Sequence, residues 1–210
     1  VQTLVKRRLQ PHLPDVELVS ALLVDWSHDD CRGDMDGLAD QFDIYRYGVP
    51  LEFGTKWGIR KVTNYAIALA REIGATHILR IIQDTFVDDP SALAQRIQSA
   101  LPEPGEWIGA RVVYWATDHG HGQFTQEMGL PFTPDIHWPH GELMLAPLST
   151  WERHYLPLPE RIHHHWDDIM MGLSLLHAGG RYLDWTPPVW THRHDCDFPT
   201  LTRTYQMQTR

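Results

Sequence analysis

Cysteine is scarce in this chain, with only Cys31 and Cys196 among 210 residues. Two distant thiols build no disulfide framework and have no metal-ligand spacing. Long apolar runs are missing as well. No stretch approaches the roughly 18 uninterrupted apolar residues that a membrane span needs, and no secretory signal is visible. A reducing cytoplasm is therefore the expected setting. The chain begins at Val1 rather than at methionine, which leaves room for an upstream segment. Positive charge is also short, since 18 Lys and Arg against 27 Asp and Glu leave a formal charge of −9. That balance argues against a broad, non-specific nucleic-acid surface. Basic residues cluster locally at Lys6, Arg7 and Arg8 and again at Arg60 and Lys61. No internal repeat and no linker divides the chain, so one domain over residues 1–210 is expected.

What is present supports a globular core. Hydrophobic residues make up 42% of the chain and charged ones 21%, ordinary values for a folded domain. Nine tryptophans and fourteen histidines are less ordinary. Aromatic residues beyond the needs of a core can stack on sugars or bases.

The stretch around which the rest is arranged is His77-Ile78-Leu79-Arg80-Ile81-Ile82-Gln83-Asp84-Thr85-Phe86-Val87-Asp88-Asp89-Pro90. Its aliphatic run predicts a short buried strand that delivers Asp84 at its carboxyl end. Open α/β sheets bind ligands at that end. Before it, Val1 to Gln10 has helical spacing and is ended by Pro11 and Pro14. Val16 to Val24 predicts a buried strand that runs into Asp25-Trp26-Ser27, and Phe42 to Tyr45 a short one. Gly58 opens a helix with Ile59, Val62, Ala66, Leu69 and Ile73 as its apolar stripe and Gly74 as its stop. Arg60, Lys61 and Asn64 are then free to face a ligand.

After the organising strand, Asp89 caps a helix with Pro90 at its first position and Leu93 and Ile97 on its inner face. Trp107 to Tyr114 and Gly141 to Pro147 predict strands. Between them, residues 116–140 carry no period but hold Phe124, Phe132 and Trp138, which suggests a flap over the site. Ser149-Thr150-Trp151-Glu152 matches a capping box. Asp167 and Asp168 start a helix whose apolar face is Ile169, Leu173 and Leu176, and Gly179-Gly180 closes it. Tyr182 to Trp185 and Val189 to His192 are the last strands. Strands alternating with helices predict an α/β sheet. The adjacent histidines His163, His164 and His165 cannot all point to one ion along a strand, so they are read as flanking or acceptor-site residues.

Five segments, taken in order, resemble the GT-A glycosyltransferases, a nucleotide-sugar-dependent class with a Rossmann-like core. Leu23-Val24-Asp25-Trp26-Ser27-His28-Asp29 resembles the family's strand end against the nucleotide. Gly58-Ile59-Arg60-Lys61-Val62-Thr63-Asn64 resembles its helix start against the nucleotide sugar. Ile82-Gln83-Asp84-Thr85-Phe86-Val87 is similar to the Asp-x-Asp segment of galactosyltransferase-like and fringe-like members. Trp166-Asp167-Asp168-Ile169-Met170-Met171-Gly172 is similar to the segment that carries the catalytic base, and Val189-Trp190-Thr191-His192 to a late strand whose histidine completes a metal site.

The resemblance implies a mixed, mostly parallel sheet flanked by helices in one domain. Residues 1–115 would form the nucleotide-sugar-binding half, 116–192 the acceptor and catalytic half, and 193–210 a polar tail. The family's first strand is absent from the chain. The resemblance further implies Asp168 as general base and Asp25, Trp26, Ser27, Arg60, Lys61, Asn64, Gln83 and Asp84 as donor-binding residues. Trp138, Glu142 and Asp167 become acceptor-site candidates, Asp167 also a structural partner of Asp168. Asp84 and His192 would hold Mn²⁺ or Mg²⁺.

The donor would be a nucleotide sugar, with a uridine diphosphate sugar favoured, and the acceptor any molecule with a free hydroxyl. DNA is compatible but not favoured. Two departures matter: Trp26 stands where the family has a second Asp, and Ile82 and Gln83 leave Asp84 as the motif's single carboxylate. They keep open a catalytically degenerate nucleotide-sugar or glycan binding protein. A metallohydrolase built on the histidines is the third alternative.

Overall fold

Aliphatic residues alternate across two neighbouring strands, and that alternation decides the architecture. The computed structural model describes residues 3–24, 40–47, 59–81, 85–87, 89–99, 101–110, 113–114, 143–158, 167–185 and 190–192. In chain order these form α1 (Thr3–Leu9), a 3-10 turn (Gln10–His12), β1 (Ala21–Val24), β2 (Ile44–Tyr47), α2 (Ile59–Glu72), β3 (His77–Ile81) and β4 (Thr85–Val87). There follow α3 (Pro90–Ser99), β5 (Glu106–Ala110), β6 (Val113–Tyr114), β7 (Leu143–Pro147), α4 (Leu148–His154), α5 (Asp167–His177), β8 (Arg181–Trp185) and β9 (Trp190–His192).

The central sheet has the order β3-β7-β5-β8. Strand β7 runs antiparallel to both β3 and β5, whereas β5 and β8 are parallel. Leu143 and Leu145 of β7 join Leu9, Leu13, Leu93, Ala94 and Ile97 in one buried cluster, with Leu79 and Ile81 of β3 against it. Met144 and Ala146, on the opposite face of the same strand, join Ile67, Trp107, Trp151, Tyr155, Met171 and Leu175 in a second cluster, with Ile78 against it. The period of two along each strand thus builds a core on either side. Helices α1 and α3 cover one face of the sheet, and α2, α4 and α5 the other.

Two smaller sheets complete the described residues. Strands β1 and β2 pair in parallel. Strand β9 lies between β4, its antiparallel partner, and β6, its parallel one. The architecture is mixed α/β, as expected. Parallel and antiparallel pairings are evenly represented among the described residues, however, so the expected mostly parallel sheet is corrected: the reversed strand β7 sits between β3 and β5.

Several boundaries and faces differ from the sequence expectations. The strand expected over residues 16–24 is confined to Ala21–Val24, and the one expected over 107–114 splits into β5 and β6 of different sheets. The capping box at Ser149 does not form. Helix α4 starts at Leu148 directly from β7 with Pro147 at its N-cap and no side-chain cap. The hydroxyl of Thr150 instead accepts a bond from the Gly105 amide at 3.2 Å, and Glu152 accepts from Arg71 of α2.

The inner stripe of α2 is Arg60, Thr63, Ile67 and Ala70, about one residue round from the expected one, and Ile73 is 44% exposed. The same rotation occurs in α5, where Met171 and Leu175 are buried while Leu173 and Leu176 face outward. Terminators behave as read: Gly74 and Gly179 take positive φ, at 72° and 77°, as helix-ending glycines do. Gly180 has a further reason, since a Cβ there would meet the Gly105 carbonyl oxygen at 2.6 Å. Asp89 Oδ1 accepts from the amides of Ser91 and Ala92 at 3.0 Å each, the N-cap bonds expected of it.

Candidate functional site

One residue breaks the aliphatic run of β3. Arg80 shares the face of Ile78, so its side chain enters the second core rather than solvent, and only 10% of it remains exposed. A buried guanidinium needs partners for its charge and its donors. It finds them on α2, α5 and β7 and in the turn that follows α4. Nη1 donates to Asp167 Oδ2 at 2.7 Å and to Thr63 Oγ1 at 3.2 Å, and lies 3.5 Å from Tyr155 Oη. Nη2 faces Met144 Sδ at 2.7 Å, across the β3–β7 register that pairs these two residues. The Tyr155 hydroxyl also donates to Asp167 Oδ2, at 2.8 Å. The guanidinium carbon lies 5.7 Å from the Trp151 ring centre and 5.8 Å from that of Tyr155, and Trp151 stacks on Trp107 at 5.6 Å. Such ring faces suit a cation withdrawn from water.

The electrostatics hold these groups in one charge state. Burial works against the Asp167 carboxylate, but the Arg80 charge and the bonds from Arg80 and Tyr155 outweigh it and lower the carboxyl pKa. Burial likewise opposes the Arg80 charge, and the carboxylate of Asp167 more than compensates, with Asp168 adding to the effect. Tyr155 is pushed well above its usual range by burial and by Asp167, so its proton stays in place to donate.

The expected site residues fall into three groups. Arg60, Lys61, Asn64, Asp167 and Asp168 lie on α2 and α5, the two helices that Arg80 joins through Thr63 and Asp167. Arg60 and Lys61 are 8% and 4% exposed, and Arg60 Nη2 donates to the Leu158 carbonyl. The expectation that both are free to face a ligand is corrected: they are enclosed because the stripe of α2 is rotated toward the sheet. Asn64 is half-buried, and its Oδ1 is enclosed without a hydrogen-bond partner.

Asp167, an acceptor-site candidate from sequence, is committed to Arg80 and Tyr155. Asp168 follows it, half-buried, in the first turn of α5. His192 is placed by its backbone: it is the register partner of Thr85, the residue after Asp84. Asp25, Trp26, Ser27, Gln83, Asp84, Trp138 and Glu142 lie outside the described residues, as do the flap at 116–140 and the histidines at 163–165.

Among the described residues, no three His, Cys, Asp or Glu side chains group as a metal site. His154, one of the histidines there, has its Nδ1 3.0 Å from Ser174 Oγ, and burial followed by the Arg153 charge lowers its pKa. No described helix is long and apolar enough to cross a membrane.

Sequence reading misses Arg80 and Tyr155. A signal for Arg80 is present, because a charge inside an otherwise aliphatic strand must be paired once the strand is buried. No comparable signal marks Tyr155, whose role depends on the turn that follows α4.

No protein-family model matches the chain, and neither does any curated protein. Among solved structures, the crystal structure of mannose-1-phosphate geranyltransferase from Thermus thermophilus is similar, with a TM-score of 0.43 and 14% identity. The match covers 90% of this chain and 62% of that one.

Proposed function

We propose that this chain is a GT-A glycosyltransferase that moves a sugar from a nucleotide-sugar donor to an acceptor hydroxyl with inversion at the anomeric carbon. The observation that carries the reading is the convergence at Arg80. Sequence singles out the helix start at 59–64, the strand leading to Asp84 and the Asp167-Asp168 segment separately, and one guanidinium bonds to or belongs to all three. Ligand sites of α/β proteins form where strand carboxyl ends and helix amino ends meet in this way.

The assigned roles follow from the chemistry. Asp168 takes the proton of the acceptor hydroxyl as it attacks, a general-base role worth about 10²–10⁴ in rate. Asp167 holds Asp168 in place rather than meeting the acceptor. Asn64, with Asp25, Trp26, Ser27, Gln83 and Asp84, forms the donor side, and Trp138 and Glu142 the acceptor side, while the enclosed Arg60 and Lys61 are left out of it.

Asp84 and His192 are the proposed holders of a divalent cation. The pairing of His192 with Thr85 supports their proximity, and a carboxylate with an imidazole suits Mn²⁺ better than Mg²⁺. Such an ion supplies Lewis-acid stabilisation of negative charge on a leaving diphosphate.

The test is a thermal-shift screen of nucleotide sugars with and without Mn²⁺, followed by a transfer assay with the donor that binds. A bound donor raises the unfolding temperature. Asp168→Asn is expected to keep that shift and to lose roughly 10²–10⁴ in transfer rate. Normal transfer by Asp168→Asn removes the base assignment, and identical donor titrations with and without Mn²⁺ remove the metal. If donors bind but neither hydrolysis nor transfer occurs, the chain is a nucleotide-sugar binding protein instead, as the missing acids at Ile82 and Gln83 would then explain.

A further inference from the structure

We propose that Arg80 is a positioning residue that clasps the strand leading to Asp84 against the helix turn carrying Asp168, and so fixes the donor side of the site relative to its base. The inference rests on the glycosyl-transfer reading given above and adds a residue to it. Arg80 touches no reacting atom in this scheme; it acts through Asp167, its 2.7 Å partner and the immediate neighbour of Asp168.

Geometry is the first reason. The guanidinium is planar and its donors point in fixed directions, so binding Asp167 and Thr63 from one nitrogen and facing Met144 from another sets an angle as well as a distance. Strand β3, strand β7, helix α2 and helix α5 are all referenced to that plane. Tyr155, donating to the same carboxylate oxygen, prevents Asp167 from rotating away.

Economy of packing is the second reason. The surrounding core of Trp107, Met144, Trp151, Met171 and Leu175 is apolar, and apolar side chains of similar volume at positions 80 and 167 would pack there. Replacing a buried ion pair in this way is often neutral or stabilising. Stability therefore gives no account of a charged pair at this point, while control of the Asp168 position does. Misplacing a reacting group by about 1 Å costs on the order of 10²-fold in rate.

The experiment compares wild type, Arg80→Lys and the double variant Arg80→Met/Asp167→Leu by steady-state kinetics, using the donor identified in the screen. Arg80→Lys keeps the charge and loses the fork. The double variant keeps the packing and loses the clasp, and it covers the case in which the single variant fails to fold. For folded variants the expected result is a fall in kcat of roughly 10–100-fold with the donor KM within about twofold of wild type.

Unchanged kcat in either folded variant overturns the proposal and leaves glycosyl transfer standing. A rise in donor KM with kcat unchanged also overturns it, because Arg80 would then serve donor binding. Absence of turnover by wild type with every donor overturns the functional reading itself, and the positioning role with it. The two failures are told apart by the wild-type assay alone.

Discussion

The two faces of the central sheet are built from the same strands but on different principles. On the α1/α3 side the buried cluster is aliphatic throughout: Leu9, Leu13, Leu93, Ala94, Ile97, Leu143 and Leu145. On the α2/α4/α5 side the aromatic and aliphatic core encloses Arg80, Asp167 and Thr63, and the largest side chains, Trp107, Trp151 and Tyr155, pack around the charge. An aliphatic face tolerates adjustment, because dispersion and hydrophobic burial have no preferred direction. A buried guanidinium with fixed donors does not. The first face holds the sheet together, and the second specifies where the helix starts stand above its carboxyl edge.

The largest effect that separates the faces is expected from breaking the buried pair on one side only. Asp167→Leu leaves Arg80 charged in an apolar core and should cost about 3–5 kcal/mol of stability. Arg80→Met leaves the carboxylate unpaired and should cost a similar amount. Their combination should recover most of the loss, because the pair then becomes an apolar contact. Urea midpoints for the four proteins form a double-mutant cycle. Strict additivity in that cycle would show that the two groups do not act as a unit, and the contrast between the faces would collapse.

The aliphatic face predicts a different pattern. Leu93 is fully buried there, and Leu93→Ala should cost about 2–5 kcal/mol through lost burial and a residual cavity. Its effect should stop at stability: at a temperature where the variant is folded, the donor-induced thermal shift should equal that of wild type. A lost or halved shift in Leu93→Ala would mean that the α1/α3 face also positions the site.

How much of this is legible in the sequence depends on the kind of signal. Local signals with one physical meaning are readable. Gly74 ends α2 because only a residue without Cβ takes its φ of 72° at little cost, and Asp89 caps α3 with the amides of Ser91 and Ala92. The faces of α2 and α5 are not legible. Both helices carry more than one stripe that could be buried, and the choice depends on what lies opposite. Thr63 is drawn in by Arg80, and the rest of α2 rotates with it. In α5 the pull comes from Asp167, which buries Met171 and Leu175 at the expense of Leu173 and Leu176.

The candidate site is legible in part for the same reason. Sequence singles out the helix start at 59–64 and the Asp167-Asp168 segment separately, but their link to Arg80 includes a tertiary contact spanning 87 positions. No local pattern encodes such a contact.

The smallest effect comes from an acid whose setting is opposite to that of Asp167. Asp43, beside β2, accepts from Lys6 Nζ at 2.6 Å and from the amide and hydroxyl of Ser20 at 2.7 Å and 2.8 Å, tying α1 to the β1–β2 pair. Its side chain is 44% exposed. The Lys6 hydrogen bond, then those from Ser20, lower its pKa from 3.8 to about 2. A carboxyl depressed in the folded state binds protons more readily when unfolded, so its stabilising contribution is complete above 3.8 and fades as the pH falls toward about 2. Solvent screening limits that contribution to at most about 1 kcal/mol, and added salt should shrink it further. The check is the difference in unfolding temperature between wild type and Asp43→Asn, followed from about pH 5 down to about pH 2. That difference should be small at the upper end and shrink further toward the lower end. A difference that stays constant over the range would assign the effect of the substitution to packing rather than to charge, and Asp43 would then resemble the buried acid more than its exposure suggests.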